Sequence, residues 1–146
     1  MLKVHRLNDN AIVPTKAHSA DAGFDIYADD DYTIHAHERV LIGTSIAMNI
    51  PKGYYGQIKD RSGVAYKMGG HVLAGVIDCD YRGEVKVLML NTTTDALCSA
   101  GNAIYIKKGE RVAQMVLLPV PEFDIIEVND LDDTERGARG FGSSGK

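Results

Sequence analysis

Val72-Leu73-Ala74-Gly75-Val76-Ile77-Asp78-Cys79-Asp80-Tyr81-Arg82-Gly83-Glu84-Val85-Lys86-Val87-Leu88-Met89-Leu90-Asn91 is two short apolar runs, 72–77 and 85–91, parted by a polar stretch. In Val85-Lys86-Val87, apolar and polar residues alternate with the period of a strand. Outward from this stretch the pattern repeats. Further β-rich runs lie at 2–7, 32–34, 39–48, 55–59, 103–106, 112–118 and 124–128, separated by Gly, Pro, Asn and Asp. Helical periodicity is nearly absent, and the one helix expected is a short turn over 62–67, opened by the hydroxyl of Ser62. There is no internal repeat. Regularly spaced short strands predict an all-β sandwich, barrel or jelly roll.

A chain of 146 residues with 45% apolar and 25% charged residues suits one domain with its own core. No apolar run approaches the ~18–20 residues needed to span a bilayer. The opening Met1-Leu2-Lys3-Val4-His5-Arg6 lacks the apolar centre of a secretory leader and reads as a strand, so a cytoplasmic protein is expected, or a nuclear one in a host with a nucleus. The net charge of −4 argues against a nucleic-acid partner, whose phosphates need a basic face, yet leaves room for a small anionic substrate held by a few arginines. Cys79 and Cys98 form no CxxC pair, and Cys79 reads as a small packing residue. His35 and His37 lack the companions of a zinc site, and His18, Ser19 and Asp21 resemble a triad only in composition. The end differs in kind: 137–145 holds four glycines in nine positions and a lone aromatic, Phe141, so a mobile tail is expected. Its GxxxxGK and GxGxxG spacings precede no helix and carry no phosphate-loop meaning in the fold.

Four stretches could carry chemistry. In Lys59-Asp60-Arg61-Ser62-Gly63-Val64-Ala65 a strand runs into the helix. The unpaired amides of the helix start, the Ser62 hydroxyl, Gly63 and a forked Arg61 suit a phosphate, although a plain capped helix with a surface arginine reads equally from the residues alone. Asp78 ends an apolar run, where desolvation would raise its pKa toward that of a general base. Asp80 and Arg82 are expected to pair at the surface, and Tyr81 is either a core-edge residue or a flat platform for a sugar. Ala22-Gly23-Phe24-Asp25-Ile26-Tyr27-Ala28 and Gly109-Glu110-Arg111-Val112-Ala113-Gln114 are strand starts with turn chemistry.

In order and spacing these stretches, with the tail, resemble the five motifs of the trimeric dUTPase family, from Ala22 to Gly145. The resemblance implies a jelly-roll-like distorted β-barrel over 1–135 and a flexible lid over 136–146. It implies a homotrimer whose active sites are each built from all three chains. The implied reaction is hydrolysis of dUTP to dUMP and pyrophosphate, which limits uracil in DNA and supplies dUMP for thymidylate synthesis. By position, Asp78 would activate the water that attacks the α-phosphorus, and Arg136 would reach the β- and γ-phosphates. A β-hairpin at Val72, Gly75, Val76 and Ile77 would read the uracil edge with its backbone, leaving cytosine's amino group unpaired. Tyr81 would pack under deoxyribose and exclude a 2′-hydroxyl. Arg61, Ser62, Gly63 and Gln114 would hold phosphates, and Lys86 would touch the nucleotide. Phe141 would stack on uracil, with Gly142, Ser143 and Ser144 around the γ-phosphate. Asp25 would support Arg61 and, through water, the Mg²⁺ that the phosphates mainly hold. Two departures stand out. Arg139 replaces a glycine common in relatives, at a backbone penalty if its φ is positive. Val72 replaces a frequent Asn, leaving the contact there to the backbone. The related dCTP deaminases would carry a different phosphate motif and no such tail, and a purely structural or regulatory jelly roll would have no use for Asp78, Arg136 and Phe141 together.

Overall fold

The computed structural model describes residues 1–94 and 103–140. It contains β1 (Lys3–Arg6), β2 (Gly23–Tyr27), β3 (Tyr32–Ile34), β4 (Arg39–Ile42), β5 (Ile46–Asn49), β6 (Tyr54–Lys59), α1 (Ser62–Met68), β7 (Gly70–Leu73), β8 (Val76–Ile77), β9 (Val87–Asn91), β10 (Ile104–Ile106) and β11 (Arg111–Pro119). All pairings are antiparallel. One sheet has the order β2-β11-β6-β8 and another β4-β9-β7, with β1-β5 and β10-β3 as two-stranded pairs. This is the expected all-β, jelly-roll-like barrel, with one short helix among the described residues. Alternate residues of each strand point inward, so Ile26, Ile42, Ile58, Val87, Met89 and Met115 meet in one core and are essentially sealed from water. None of the described helices is long and apolar enough to cross a membrane.

Three expected elements come out differently. The run 39–48 is two strands, broken at Gly43-Thr44-Ser45. Ser45 has φ 53°, and a Cβ on Gly43 would stand 2.7 Å from Asp29 Oδ1. Side chains secure the break: Glu84 Oε1 accepts the amides of Thr44 (3.1 Å) and Ser45 (2.9 Å), and the Tyr32 hydroxyl accepts that of Gly43 (2.9 Å). The run 72–77 is likewise divided, because Ala74 (φ 57°) and Gly75 (φ 90°) turn the chain from one sheet to the other. The hairpin is therefore not inside 72–78. Its arms are β7 and β9, paired from Gly70↔Asn91 to Leu73↔Leu88, and 74–86 is its long connection. Finally, 124–128 is no strand: there the chain runs exposed, and among the described residues no strand edge pairs with it.

The helix forms where expected, but Ser62 does not cap it. Arg61 occupies the cap position in extended conformation and makes no side-chain cap bond, and Ser62 is the first helical residue. The other end closes on Gly69 (φ 72°), whose amide bonds Ala65 O and Val64 O.

Candidate functional site

Two separate surfaces gather the candidate residues. The first lies where β2, β11 and β6 run side by side. Gln114 is in register with Asp25 on one flank and Lys59 on the other. Beyond Lys59 the chain turns through Asp60 and Arg61 into α1. Arg61 Nε lies 2.8 Å from Asp25 Oδ1, Arg111 Nη1 lies 3.2 Å from Oδ2, and Arg61 Nη1 donates to Arg111 O at 3.2 Å. Asp25 is only 14% exposed, so this carboxylate is a fixed post holding one guanidinium on each oxygen. A cavity of about 440 Å³ opens beside them, lined among others by Tyr27, Arg61, Gly63, Lys67 and Arg111. The helix start facing this region has no acidic residue in its first turn and no side-chain cap. A Cβ on Gly63 would meet nothing within 4 Å, so no internal packing demands glycine there. A concave, cation-lined surface of this kind suits a polyphosphate.

The second surface is a cavity of about 370 Å³ on the hairpin connection, lined by Gly75, Val76, Ile77, Asp78, Tyr81 and Lys86 among others. Its apolar floor is Leu41, Leu88 and Leu73, three leucines side by side across β4, β9 and β7. Gly75 is required at its place: its φ is 90°, and a Cβ would stand 2.8 Å from Ile58 O. The hydroxyl end of Tyr81 packs against Gly83, where a Cβ would strike it at 2.3 Å, and the hydroxyl donates to Glu84 O at 3.1 Å. Lys86 Nζ sits 3.2 Å from Glu84 Oε2. A slot with an apolar floor, edged by backbone groups, the Tyr81 phenol and the carboxylates of Asp78 and Glu84, can hold a nucleoside.

Several expectations need correcting. Asp78 is exposed rather than desolvated, because β8 is only two residues long and the chain leaves the sheet immediately after it. Arg82 does not pair with Asp80; its guanidinium binds Cys79 O, Tyr81 O and Asn49 Oδ1 and so ties down the connection. Val72 points into the core, and its amide is already bonded to Asp60, so it does not line the cavity. Gln114 spends its side-chain amide on Asp60 O at 2.8 Å. Arg136 donates its Nε–H to Arg139 O within one local turn. Arg139 is not at positive φ, so no glycine-type penalty arises; the left-handed residue nearby is Gly137. Phe141, Gly142, Ser143 and Ser144 lie outside the described residues. No group of His, Cys, Asp or Glu among the described residues could hold a metal by itself.

The sequence reading missed Leu41, Leu73 and Leu88 as a floor, and Glu84, Arg111 and Asp60 as anchors. The leucines had a signal: they fall at outward positions of strands where a polar residue is the ordinary occupant.

Comparison with known proteins gives a consistent picture. Residues 9–145 match the family model described as dUTPase. The chain is 49% identical over 147 residues to the deoxyuridine 5′-triphosphate nucleotidohydrolase of Nautilia profundicola, with 99% of each chain covered. It is 41% identical to the enzyme of the same name from Mus musculus, covering 99% of this chain and 85% of the mouse one. Among solved structures, the Staphylococcus bacteriophage 80alpha dUTPase with dUPNHPP aligns at TM-score 0.90 and 31% identity, covering 100% of this chain and 99% of that one. A mutant dUTPase from phage phi11 of S. aureus, described with a structural Mg(II) ion, aligns at TM-score 0.81 and 28% identity, covering 89% of this chain and 97% of that one.

Proposed function

The chain belongs to the dUTPase family, and from that premise we propose that it hydrolyses dUTP to dUMP and pyrophosphate in a homotrimer whose sites are shared between subunits. The observation that carries the shared-site reading is the division just described. Arg61 and Gly63 line one cavity, Asp78 and Tyr81 another, and the two have no lining residue in common. A nucleoside triphosphate needs both, which supports a site in which the cation-lined surface of one subunit meets the nucleoside slot of another. The exposed Phe123 (82%), Ile125 (98%) and Leu131 (84%) support the same reading, since large apolar side chains beyond the last strand have no burial within one chain.

In the slot, the backbone of 75–77 meets the base edge, Gly75 allowing the approach, and Tyr81 packs against the sugar. Asp78 on the rim accepts a proton from water as the water oxygen bonds to the α-phosphorus. The bond from that phosphorus to the bridging oxygen breaks, and pyrophosphate leaves. Arg61, held by Asp25, the amides of Ser62 and Gly63, and Arg136 with 141–144 of the tail neutralise the phosphates. Gln114 acts here through the Asp60 carbonyl it holds, and Lys86 edges the nucleotide. The residues fit a magnesium ion that arrives on the triphosphate: Arg61, Lys67 and Arg111 line the cavity that would take the phosphates, and Asp25, held between Arg61 and Arg111, would support the ion through water. When bound, Mg²⁺ withdraws charge from the phosphate oxygens and leaves the phosphorus more open to attack. We place the enzyme in the cytoplasm, or in the nucleus of a eukaryotic or virus-infected cell, with no nucleic acid or membrane among its partners.

Incubation with dUTP, dCTP, dTTP and UTP, with pyrophosphate and ammonia both measured, tests the reading. Pyrophosphate from dUTP alone is expected; ammonia from dCTP would overturn it.

A further inference from the structure

Asp60 stands between the two surfaces and lines neither. Its carbonyl accepts Gln114 Nε2 at 2.8 Å, its Oδ1 accepts the Val72 amide at 2.6 Å, and its Oδ2 lies 2.8 Å from His71 Nδ1. Val72 belongs to β7, which among the described residues is an edge strand paired with β9 alone, so its outward amide has no described strand to bond. The next sheet begins across the turn. There β6 holds β8 through Gly56↔Ile77 and Gln57↔Val76, and the Ile58 amide donates to Gly75 O at 2.8 Å. Beyond Gly75 the left-handed Ala74 carries the chain away from β6, and main-chain pairing stops. The Asp60 carboxylate spans that gap. It clamps the start of 72–77 where β6 can no longer reach by backbone alone, while Gln114 fixes Asp60 from behind.

We propose that Asp60 is a positioning residue for base selection: its carboxylate, bonded to the Val72 amide, sets the backbone of 75–77 at the distance that accepts uracil and rejects cytosine. This rests on the reading that those backbone groups meet the base. Discrimination of that kind works by leaving the wrong base's polar groups unpaired, and it fails when the reading backbone can shift to pair them. A carboxylate accepting an amide is a charge-assisted bond, and it holds a residue two positions from the turn.

The test compares wild type with Asp60→Ala, Asp60→Glu, Asp60→Asn and His71→Ala. For each, the KM for dUTP and the inhibition constants of dCTP and of pyrophosphate are measured, with a melting curve to establish folding. Asp60→Ala is expected to reduce the preference for dUTP over dCTP by about tenfold or more, the scale of one charge-assisted hydrogen bond, while kcat and pyrophosphate inhibition change by less than about threefold. Asp60→Glu keeps the charge but moves the oxygens by a methylene, and is expected to lose part of the preference while remaining folded. Asp60→Asn retains an oxygen for the Val72 amide and is expected to restore most of it. His71→Ala leaves that bond in place and is expected to match wild type. An unchanged preference in folded Asp60→Ala and Asp60→Glu would overturn the proposal. So would pyrophosphate inhibition weakening as much as dUTP binding, since Asp60 would then serve the phosphate side. A wild type with no preference for dUTP over dCTP would remove the underlying reading of the base site, and this proposal with it.

Discussion

Asp78 shows how little a single residue's surroundings need say about its work. It stands exposed on the rim of the slot, so in the proposed mechanism its reactivity would come from placement over the reacting atoms and from what covers it in the assembled site. Asp78→Asn removes the proton acceptor and keeps the shape. Turnover is expected to fall by about 10²–10⁴-fold with dUTP affinity nearly intact, and activity within about tenfold of wild type would show that another group activates the water. Gly75 poses the opposite case, a residue defined by what it lacks. Gly75→Ala forces a Cβ to within 2.8 Å of Ile58 O at φ 90°, so the turn has to open. At least about 1 kcal/mol of stability is expected to go from the left-handed backbone alone, and KM for dUTP is expected to rise because the slot wall moves. A variant with wild-type melting and KM would show that the turn tolerates a side chain.

At the scale of elements, the breaks matter more than the strands. The break at 43–45 joins β4 to β5 and rests on a polar cluster in which Tyr32 donates to Asp29 Oδ1 at 2.9 Å and accepts the Gly43 amide. Burial, reinforced by Asp29, holds the Tyr32 phenol above its ordinary value of 10.0, against the Gly43 amide that lowers it. The folded state therefore keeps this proton longer than the unfolded chain does. The stability it contributes is complete below the unfolded tyrosine pKa and drains away as pH rises through the folded one. Tyr32→Phe is expected to melt earlier at neutral pH by about 1–3 kcal/mol of lost hydrogen bonding. It should also lose less stability than wild type as the pH rises above about 10. Parallel melting curves for the two proteins over that range would contradict this. The strand positions 32–34, 55–59, 85–91 and 112–118 were legible because alternation and β-branching are local. The breaks in 39–48 and 72–77 were not, since Ser45 and Ala74 carry no local mark of a left-handed backbone; Glu84, Tyr32 and β6 impose it from far along the chain.

For the whole molecule, the question is which chains build one site. The cation-lined cavity and the nucleoside slot are distinct surfaces of a single subunit. In the proposed trimer, the Arg61→Ala and Asp78→Asn variants should each be nearly inactive by themselves. Co-refolded in equal amounts, about three-quarters of cyclic trimers are mixed, and each mixed trimer contains one interface where an intact Arg61 meets an intact Asp78. One site in three of those trimers amounts to roughly a quarter of wild-type activity. Were both residues drawn from the same chain, no mixture could restore a site. Activity near zero, with mixed trimers verified by native mass spectrometry, would thus eliminate the shared site.

The sequence by itself determined the all-β class, the short helix and the family, and it singled out the candidate site positions, because strand alternation, turn residues and motif spacing are written in neighbouring residues. It located Asp25, Arg61, Gly75, Asp78 and Tyr81 without saying which of them face one another. Only the tertiary structure decided that Asp25 is a post between Arg61 and Arg111, that outward leucines of three strands make one floor, and that Asp60 ties β6 to β7. Those arrangements come from register and sheet order, which follow from burying a whole core at once and leave no trace in any single stretch of chain.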